Sequence, residues 1–443
     1  MFKPNKFFFN LLFLLFPLLV SAQLSNYCKV GMYSEFSFFS DMAIEHILDT
    51  TYSTNYDYQG VSKKLKMDLH YPNMMIDQSQ LRPLVILVHG GEYLSGSKSD
   101  LEYLAMKFAK AGYVAANIDY RQGWDNGLGA CNGDTLQLKK AMYRGVQDLN
   151  DAFSFLSNYA TSFKIDTNTV FLIGQSEGAM IAMHTAFLNQ TSADIYFAGM
   201  SATLGGIEHA GNPYNNALHI KGIFNWCGAI LDTNMIQSDK AIPVLSIHGM
   251  LDSVIFTGVQ HYFNCNTPNH QYPLLHGPQS IFKRLNHFGI CTQANYDDNG
   301  QHCFLPSLEQ NNYIPAKSIC FFKNILCDNC ITEQKAGYNF QSCIQEAPLQ
   351  TSMLTSENQI DIYPNPCNES FNVKIQFNKN TFHSISISFV NINGIEVWKK
   401  NDLTNFSDFY FHKIQIDKPF SKGIYFLKIQ IDNETYYKKV TIL

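Results

Sequence analysis

The stretch from Val170 to His184 constrains this chain more than any other. Val170 to Ile173 has the composition of a buried strand, a helix-forming run begins at Glu177, and between them stands Gly174-Gln175-Ser176-Glu177-Gly178. A serine in a G-x-S-x-G pattern can sit on a strained strand-to-helix turn, where larger flanking side chains would clash and where its hydroxyl projects clear of the sheet. The Glu177 N–H and the N-terminus of the helix then face any negative charge formed at that hydroxyl. Glycine and serine also make ordinary turns, so the pentapeptide takes its meaning from the strand before it and the helix after it.

The N-terminus sets the compartment. Lys3 and Lys6 precede an apolar run from Phe7 to Val20 that closes on Val20-Ser21-Ala22. This is the build of a signal peptide over residues 1–22, with Gln23 as the first mature residue. The run is short for a spanning helix and Pro17 interrupts it, and no other stretch reads as a transmembrane segment. Eleven cysteines suit an oxidising destination: ten lie between Cys28 and Cys343, and Cys367 stands apart. Cys327-Asp328-Asn329-Cys330, with Cys320 and Cys343 nearby, has zinc-ligand spacing, but exported thiols in even number more often oxidise in pairs. No metal is expected. The pairings are not legible, though a bridge from Cys303 would hold a loop that matters below. A formal charge of −5 with 16% charged residues offers no basic field for nucleic acid.

At 443 residues the chain has room for two or three domains. Tyr27 to Ser62 is polar and aromatic without clean periodicity and reads as a lead-in with one edge strand. Lys66 to Tyr71 alternates, and Leu84 to Val88 is an apolar run suited to a strand buried on both faces. His89-Gly90-Gly91-Glu92 follows, where glycines leaving a buried strand can turn backbone N–H groups into a cleft. A helix is predicted over Asp100 to Ala111, a strand over Val114 to Tyr120, and a long amphipathic helix over Thr135 to Tyr159, with Arg144 and Asp148 as a structural i,i+4 pair. The glycine-rich loop from Gln122 to Cys131 leaves the carboxyl end of a strand, the edge where open α/β sheets bind ligands, so Trp124 is a candidate pocket wall. Asn189 to Lys221 is a polar insertion long enough to serve as a lid or pocket wall. Strands resume at Gly222 to Trp226, with Trp226 the second candidate for substrate contact, and at Pro243 to Ile247. Strands alternating with helices argue for an α/β fold, a mainly parallel sheet covered on both faces.

A serine hydroxyl needs a base, and the base needs a carboxylate to fix its tautomer and stabilise its protonated form. Asp252, just past the strand ending at Ile247, is the expected acid, with Asp232 as runner-up. The base is expected on a loop after the last strand, Cys291 to Asp298, and before the closing helix, Ile314 to Cys327. His302 lies there. His276 reads as a loop histidine and His287 as one on a helix surface.

From about residue 60 to 330 the chain resembles the α/β-hydrolase superfamily. Its HGG motif, DYR turn, GxSxG elbow and HGxxD element are similar to those of secreted carboxylesterases related to the hormone-sensitive-lipase group. The resemblance implies ester hydrolysis through an acyl-serine intermediate, with Ser176, Asp252 and His302 as the triad and the N–H groups of Gly91, Glu92 and Glu177 as oxyanion donors. It calls for no cofactor. Where many members have HGGG this chain has HGGE, which makes the neighbouring pocket smaller and acidic and disfavours large or anionic acyl groups.

Ile344 to Gln359 lacks apolar periodicity and reads as a linker between a catalytic domain, residues 23–343, and a tail, residues 360–443. The tail is a run of short alternating segments with turns such as Asn393-Gly394, which predicts a small β-sandwich. Tyr363-Pro364-Asn365-Pro366, Asn393-Gly394 and Gly423-Ile424-Tyr425 in that order resemble the C-terminal sorting domain of the type IX secretion system. That resemblance implies the secretion machinery as a partner, release or display at a bacterial surface, and removal of the tail. The expected substrate is a small-molecule or polysaccharide ester. A serine peptidase of the same fold, or a non-catalytic surface binder on a hydrolase scaffold, are the competing readings.

Overall fold

The computed structural model describes residues 27–28, 31–34, 38–77, 79–128, 131–208, 210–211, 215, 217–267, 271–304, 312–337, 359–367, 370–376, 383–391, 396–405, 409–415, 422–432 and 434–442. The expected signal peptide and all but the last residue of the expected linker lie outside the described residues.

The strands of the first domain are β1 (Ile44–Tyr56), β2 (Ser62–Pro72), β3 (Arg82–Val88), β4 (Val114–Ile118), β5 (Ile165–Gln175), β6 (Ile220–Trp226), β7 (Val244–Gly249), β8 (Val259–His261), β9 (Leu274–His276), β10 (Thr292–Asp297) and β11 (Glu333–Ala336). All but β8 and β9, which form a separate hairpin, build one nine-stranded sheet in the order β1-β2-β4-β3-β5-β6-β7-β10-β11. From β4 to β11 neighbours run parallel, while β1 and β2 are antiparallel additions at one edge. The helices are α1 (Glu102–Ala111), α2 (Thr135–Asn158), α3 (Glu177–Phe187), α4 (Gln190–Tyr196), α5 (Met200–Leu204), α6 (Pro278–His287) and α7 (Tyr313–Leu326).

Successive side chains of a strand point to opposite faces, so the apolar run of β3 feeds two cores. Leu84, Ile86 and Val88 join the core that includes residues of α2 and α3, while Val85 and Leu87 join the core that includes residues of α1 and α7. Every residue of β3 and β4 is buried, which is why those strands read as continuous apolar runs. β1 is largely exposed over its first half, so its residues lack alternation, and the edge strand β11, mostly polar and exposed, was not foreseen.

One expectation is corrected. Asp148 does not pair with Arg144 but with Arg121 of the DYR turn, whose guanidinium approaches to 2.8 Å; a fully buried carboxylate needs a close cation, and Arg121 supplies it across the sheet edge. Arg144 instead donates to the Gly123 carbonyl at 2.6 Å. The insertion after α3, expected as a lid or pocket wall, is partly helical, and its described residues bond to α2. Leu204 and Gly206 accept from Gln147, Gly205 accepts from Tyr143, and the Asp151 carboxylate accepts from the N–H groups of Ala210 and Gly211.

The tail contains β12 (Gln359–Tyr363), β13 (Ser370–Gln376), β14 (His383–Asn391), β15 (Glu396–Asn405), β16 (Phe409–Gln415), β17 (Gly423–Ile431) and β18 (Glu434–Ile442). They form a three-stranded and a four-stranded sheet, all antiparallel, ordered β12-β13-β16 and β15-β14-β17-β18. Alternate residues such as Val373, Ile387 and Ile429 are fully buried in one shared core, so this is a β-sandwich.

Candidate active site

Ser176 ends β5 and starts α3 with φ 54° and ψ −121°, the strained backbone expected of the elbow. The flanking glycines are required by contact: a Cβ on Gly174 would lie 2.2 Å from Ala179 Cα, and one on Gly178 would lie 2.1 Å from Val88 O. The turn is fastened by the Ser176 N–H, which donates to Trp226 O at 2.8 Å on the next strand.

Asp252 and His302 come to this serine from loops that follow β7 and β10. The two loops are joined through the backbone, Met250 N–H donating to Asp297 O at 2.7 Å and Leu251 N–H to Gly300 O at 2.9 Å. His302 Nε2 lies 2.7 Å from Ser176 Oγ, and His302 Nδ1 lies 2.7 Å from Asp252 Oδ2. With the carboxylate accepting at Nδ1–H, Nε2 is left as the acceptor for the serine hydroxyl. The other oxygen, Asp252 Oδ1, accepts from the N–H groups of Val254 and Ile255 at 2.9 Å each. Burial raises the Asp252 pKa, but the hydrogen bonds and charges of His248 and His302 outweigh it and hold the carboxyl well below the usual range. For His302, burial lowers the pKa; the Asp252 hydrogen bond and the charges of Asp252, Glu177 and Glu92 more than reverse that, leaving it above its ordinary value. His276 sits in β9 and His287 in the last turn of α6, and the Asp232 carboxylate caps its own turn by accepting from Asn234 N–H.

The other side of Ser176 departs from expectation. The N–H groups of Gly91 and Glu92 point at the Glu177 side chain, donating to its Oε2 at 3.1 and 2.8 Å, and the Tyr262 hydroxyl donates to Oε1. Glu92 and Tyr93 both have left-handed backbones, at φ 59° and 58°, which cost about 1–2 kcal/mol each for residues with a Cβ. Trp124 helps hold that turn: its indole N–H donates to Glu92 O at 2.9 Å, and its ring meets Tyr272 edge-on. With 4% exposure and both ring and N–H engaged, Trp124 supports the turn rather than presenting a free wall to substrate. Trp226 is corrected too. It is 1% exposed and stacks on Phe224 in the core shared with α1 and α7, because its position on β6 points it to that face and away from Ser176. Glu92 itself is exposed, and the partial desolvation of its carboxyl together with the charge of Glu177 raises its pKa, partly offset by His302.

Disulfides tie these loops to the sheet. Cys227–Cys303 joins the residue after Trp226 to the residue after His302 across a sequence separation of 76. Cys303 Sγ lies 3.5 Å from His302 Nε2. These three residues have metal-like proximity, but the two sulfurs are bonded to each other and offer no thiolate. Cys131–Cys265 clips the Trp124 loop to the segment carrying Tyr262, and Cys28–Cys327 and Cys291–Cys330 take both members of the zinc-like CxxC. Three contributors had no assigned part in the sequence reading. His248 Nε2 lies 2.9 Å from Asp252 Oδ2; Tyr262 reaches Glu177; and the Glu177 side chain engages the HGGE turn. His248 was legible as the first residue of HGxxD, but Tyr262 stands in a segment without pattern.

A parallel sheet that sets a serine elbow after one strand, an acid after the next but one, and a histidine beyond the following strand is the α/β-hydrolase fold. Residues 67–255 match the model of the BD-FAE family, an esterase family of that fold. Residues 361–443 match the secretion system C-terminal sorting domain, which marks proteins exported to the cell surface or beyond it. The chain is 28% identical over 152 residues to the isoprenylcysteine alpha-carbonyl methylesterase ICME of Arabidopsis thaliana, a match covering 34% of this chain and 31% of that one. It is 27% identical over 172 residues to a probable methylesterase of the same kind from Oryza sativa, covering 38% and 33%. The chain thus spans about a third of the length of these curated relatives. Among solved structures, a truncated carbohydrate esterase from gut microbiota aligns with a TM-score of 0.43 at 14% identity, over 66% of this chain and 98% of that one. Among the described residues, no helix is long and apolar enough to cross a membrane.

Proposed function

We propose that the protein is an exported serine carboxylic-ester hydrolase. In this reading Ser176 attacks the ester carbonyl, His302 takes its proton and returns it to the leaving alcohol, Asp252 stabilises the imidazolium, and water repeats the cycle on the acyl-enzyme. The observation that carries the proposal is the continuous hydrogen-bonded line from Ser176 Oγ through His302 to Asp252, with both links at 2.7 Å. A surface binder would need none of these three groups. Glu92 and Glu177 put negative charge beside the serine, which favours short, uncharged acyl groups over anionic ones. Acylated polysaccharides and small esters are the substrates in keeping with export, and the catalytic unit is taken as residues 23–343.

The test is fluorophosphonate labelling with mapping of the modified peptide, beside an ester panel and a chromogenic peptide. Label on Ser176, turnover of p-nitrophenyl acetate and none of the peptide are expected. Ser176→Ala is expected to abolish both labelling and turnover while keeping the fold; full activity in that variant would rule out the nucleophile.

A further inference from the structure

The turn that leaves β3 is built as an anion cradle, and the anion in it belongs to the protein. Gly91 has φ 117°, and Glu92 and Tyr93 follow in the left-handed region at 59° and 58°. A turn of this kind can aim consecutive N–H groups at one point, a concavity that binds negative charge. Here that point is occupied by Glu177 Oε2, which accepts from both Gly91 and Glu92. Oε1 accepts from Tyr262, and both Glu177 and Tyr262 are fully buried. The same turn is gripped from its other side, where Gly123 N–H donates to Tyr93 O at 2.6 Å and Trp124 donates to Glu92 O. The elbow asks of residue 177 a backbone N–H and nothing of its side chain. A fully buried acidic side chain is retained where donors meet it, and every donor here comes from the turn or from the segment that Cys265 clips to the Trp124 loop.

We propose that the Glu177 carboxylate is a positioning residue for hydrolysis at Ser176: it fills the cradle of Gly91 and Glu92 and, through Tyr262, locks the HGGE turn at the height the transition state requires. The proposal rests on the ester-hydrolase reading above. Gly91 and Glu92 are then structural donors. The oxyanion falls to the Glu177 N–H at the start of α3, and the turn facing it is held close to the serine, since a Cβ on Gly90 would sit 3.1 Å from Ser176 Cβ.

The experiment compares full-length wild type with Glu177→Ala, Glu177→Gln and Tyr262→Phe, by steady-state kinetics on p-nitrophenyl acetate and by the rate of fluorophosphonate labelling. Glu177→Ala empties the cradle, so kcat and the labelling rate are expected to fall about a hundredfold with KM within about twofold. Glu177→Gln keeps an oxygen that both N–H groups can reach and is expected to stay within about tenfold of wild type. Sodium formate should enter the emptied cradle and restore kcat to Glu177→Ala while leaving wild type unchanged, a response that loss of packing alone would not give. Tyr262→Phe removes only a hydroxyl and carries the test if Glu177→Ala does not fold; a fall in kcat of about fivefold at constant KM is expected, and no change overturns the role. Wild-type or higher kcat in Glu177→Ala would mean that the carboxylate merely blocks the cradle. Equal losses in the alanine and glutamine variants without formate rescue would also overturn the proposal. A wild type that neither hydrolyses esters nor takes label at Ser176 overturns the ester-hydrolase reading and this role with it, whereas active wild type with insensitive variants overturns this role alone.

Discussion

On one flank of Ser176, Asp252 and His302 stand on two short loops that are zipped together through their backbones and stapled to β6 by Cys227–Cys303. On the other flank, the HGGE turn carries two consecutive left-handed residues and is held by side chains: Glu177 from the elbow helix, Trp124 from the next loop, and Tyr262 acting through Glu177. The first flank has its groups where strand ends deliver them, so its geometry follows from topology. The second depends on a buried carboxylate meeting donors from two separate segments, the turn itself and the segment carrying Tyr262, and it would relax if either were lost. Chemistry that needs an angle and a proton path can be built on loops, whereas a turn with two left-handed residues beside a site of developing charge needs partners that stiffen it.

The comparison is tested most severely on the acid-base flank. Asp252→Asn is expected to lower kcat on the order of 10⁴-fold, since an amide no longer fixes the His302 tautomer or stabilises its cation; stopped-assay kinetics on p-nitrophenyl acetate measure it, and a loss below tenfold would remove Asp252 from the triad. Replacing Cys227 and Cys303 by serine together should cost on the order of a hundredfold in kcat, as the His302 loop loses its staple. On the chain-entropy account, closing a loop with a sequence separation of 76 is worth about 4 kcal/mol, so urea unfolding should shift as well.

The pH profile sharpens the same contrast. In the proposed mechanism His302 is neutral when it accepts the serine proton, and its pKa is raised, so kcat/KM should rise with pH along a limb whose midpoint lies above the ordinary histidine value. Asp252 is held low and stays ionised throughout that limb. Removing the exposed charge with Glu92→Gln should move the midpoint down, because one of the charges raising His302 is gone; a midpoint that moves up would contradict the assignment. The smallest effect is expected at Trp226→Phe: a buried ring shrinks in the core under α7, so the melting temperature should drop by a few degrees while kcat and KM stay unchanged.

Much of this site was legible along the chain. The elbow follows from local chemistry, since two glycines are demanded by contacts within a few ångströms of the serine, and the positions of Asp252 and His302 follow from strand ends marked by apolar runs. Trp226 misled because a residue at a strand's end reads the same whichever face it points to, and the face is set by register. Asp148 misled because an i+4 neighbour on a helix competes with a cation that only folding brings near, and Arg121 takes the ion pair instead.

The chain alone therefore determined the parallel α/β sheet, the antiparallel sandwich of the tail, and which serine, aspartate and histidine could meet, because periodicity and turn chemistry are local properties carried by adjacent residues. The tertiary structure decided what the Gly91 and Glu92 amides donate to, that Cys303 pairs with Cys227, and that Tyr262 reaches Glu177. Those outcomes depend on which distant segments arrive at one buried point and on every donor there finding an acceptor, a condition imposed on the assembled interior rather than on any stretch of sequence.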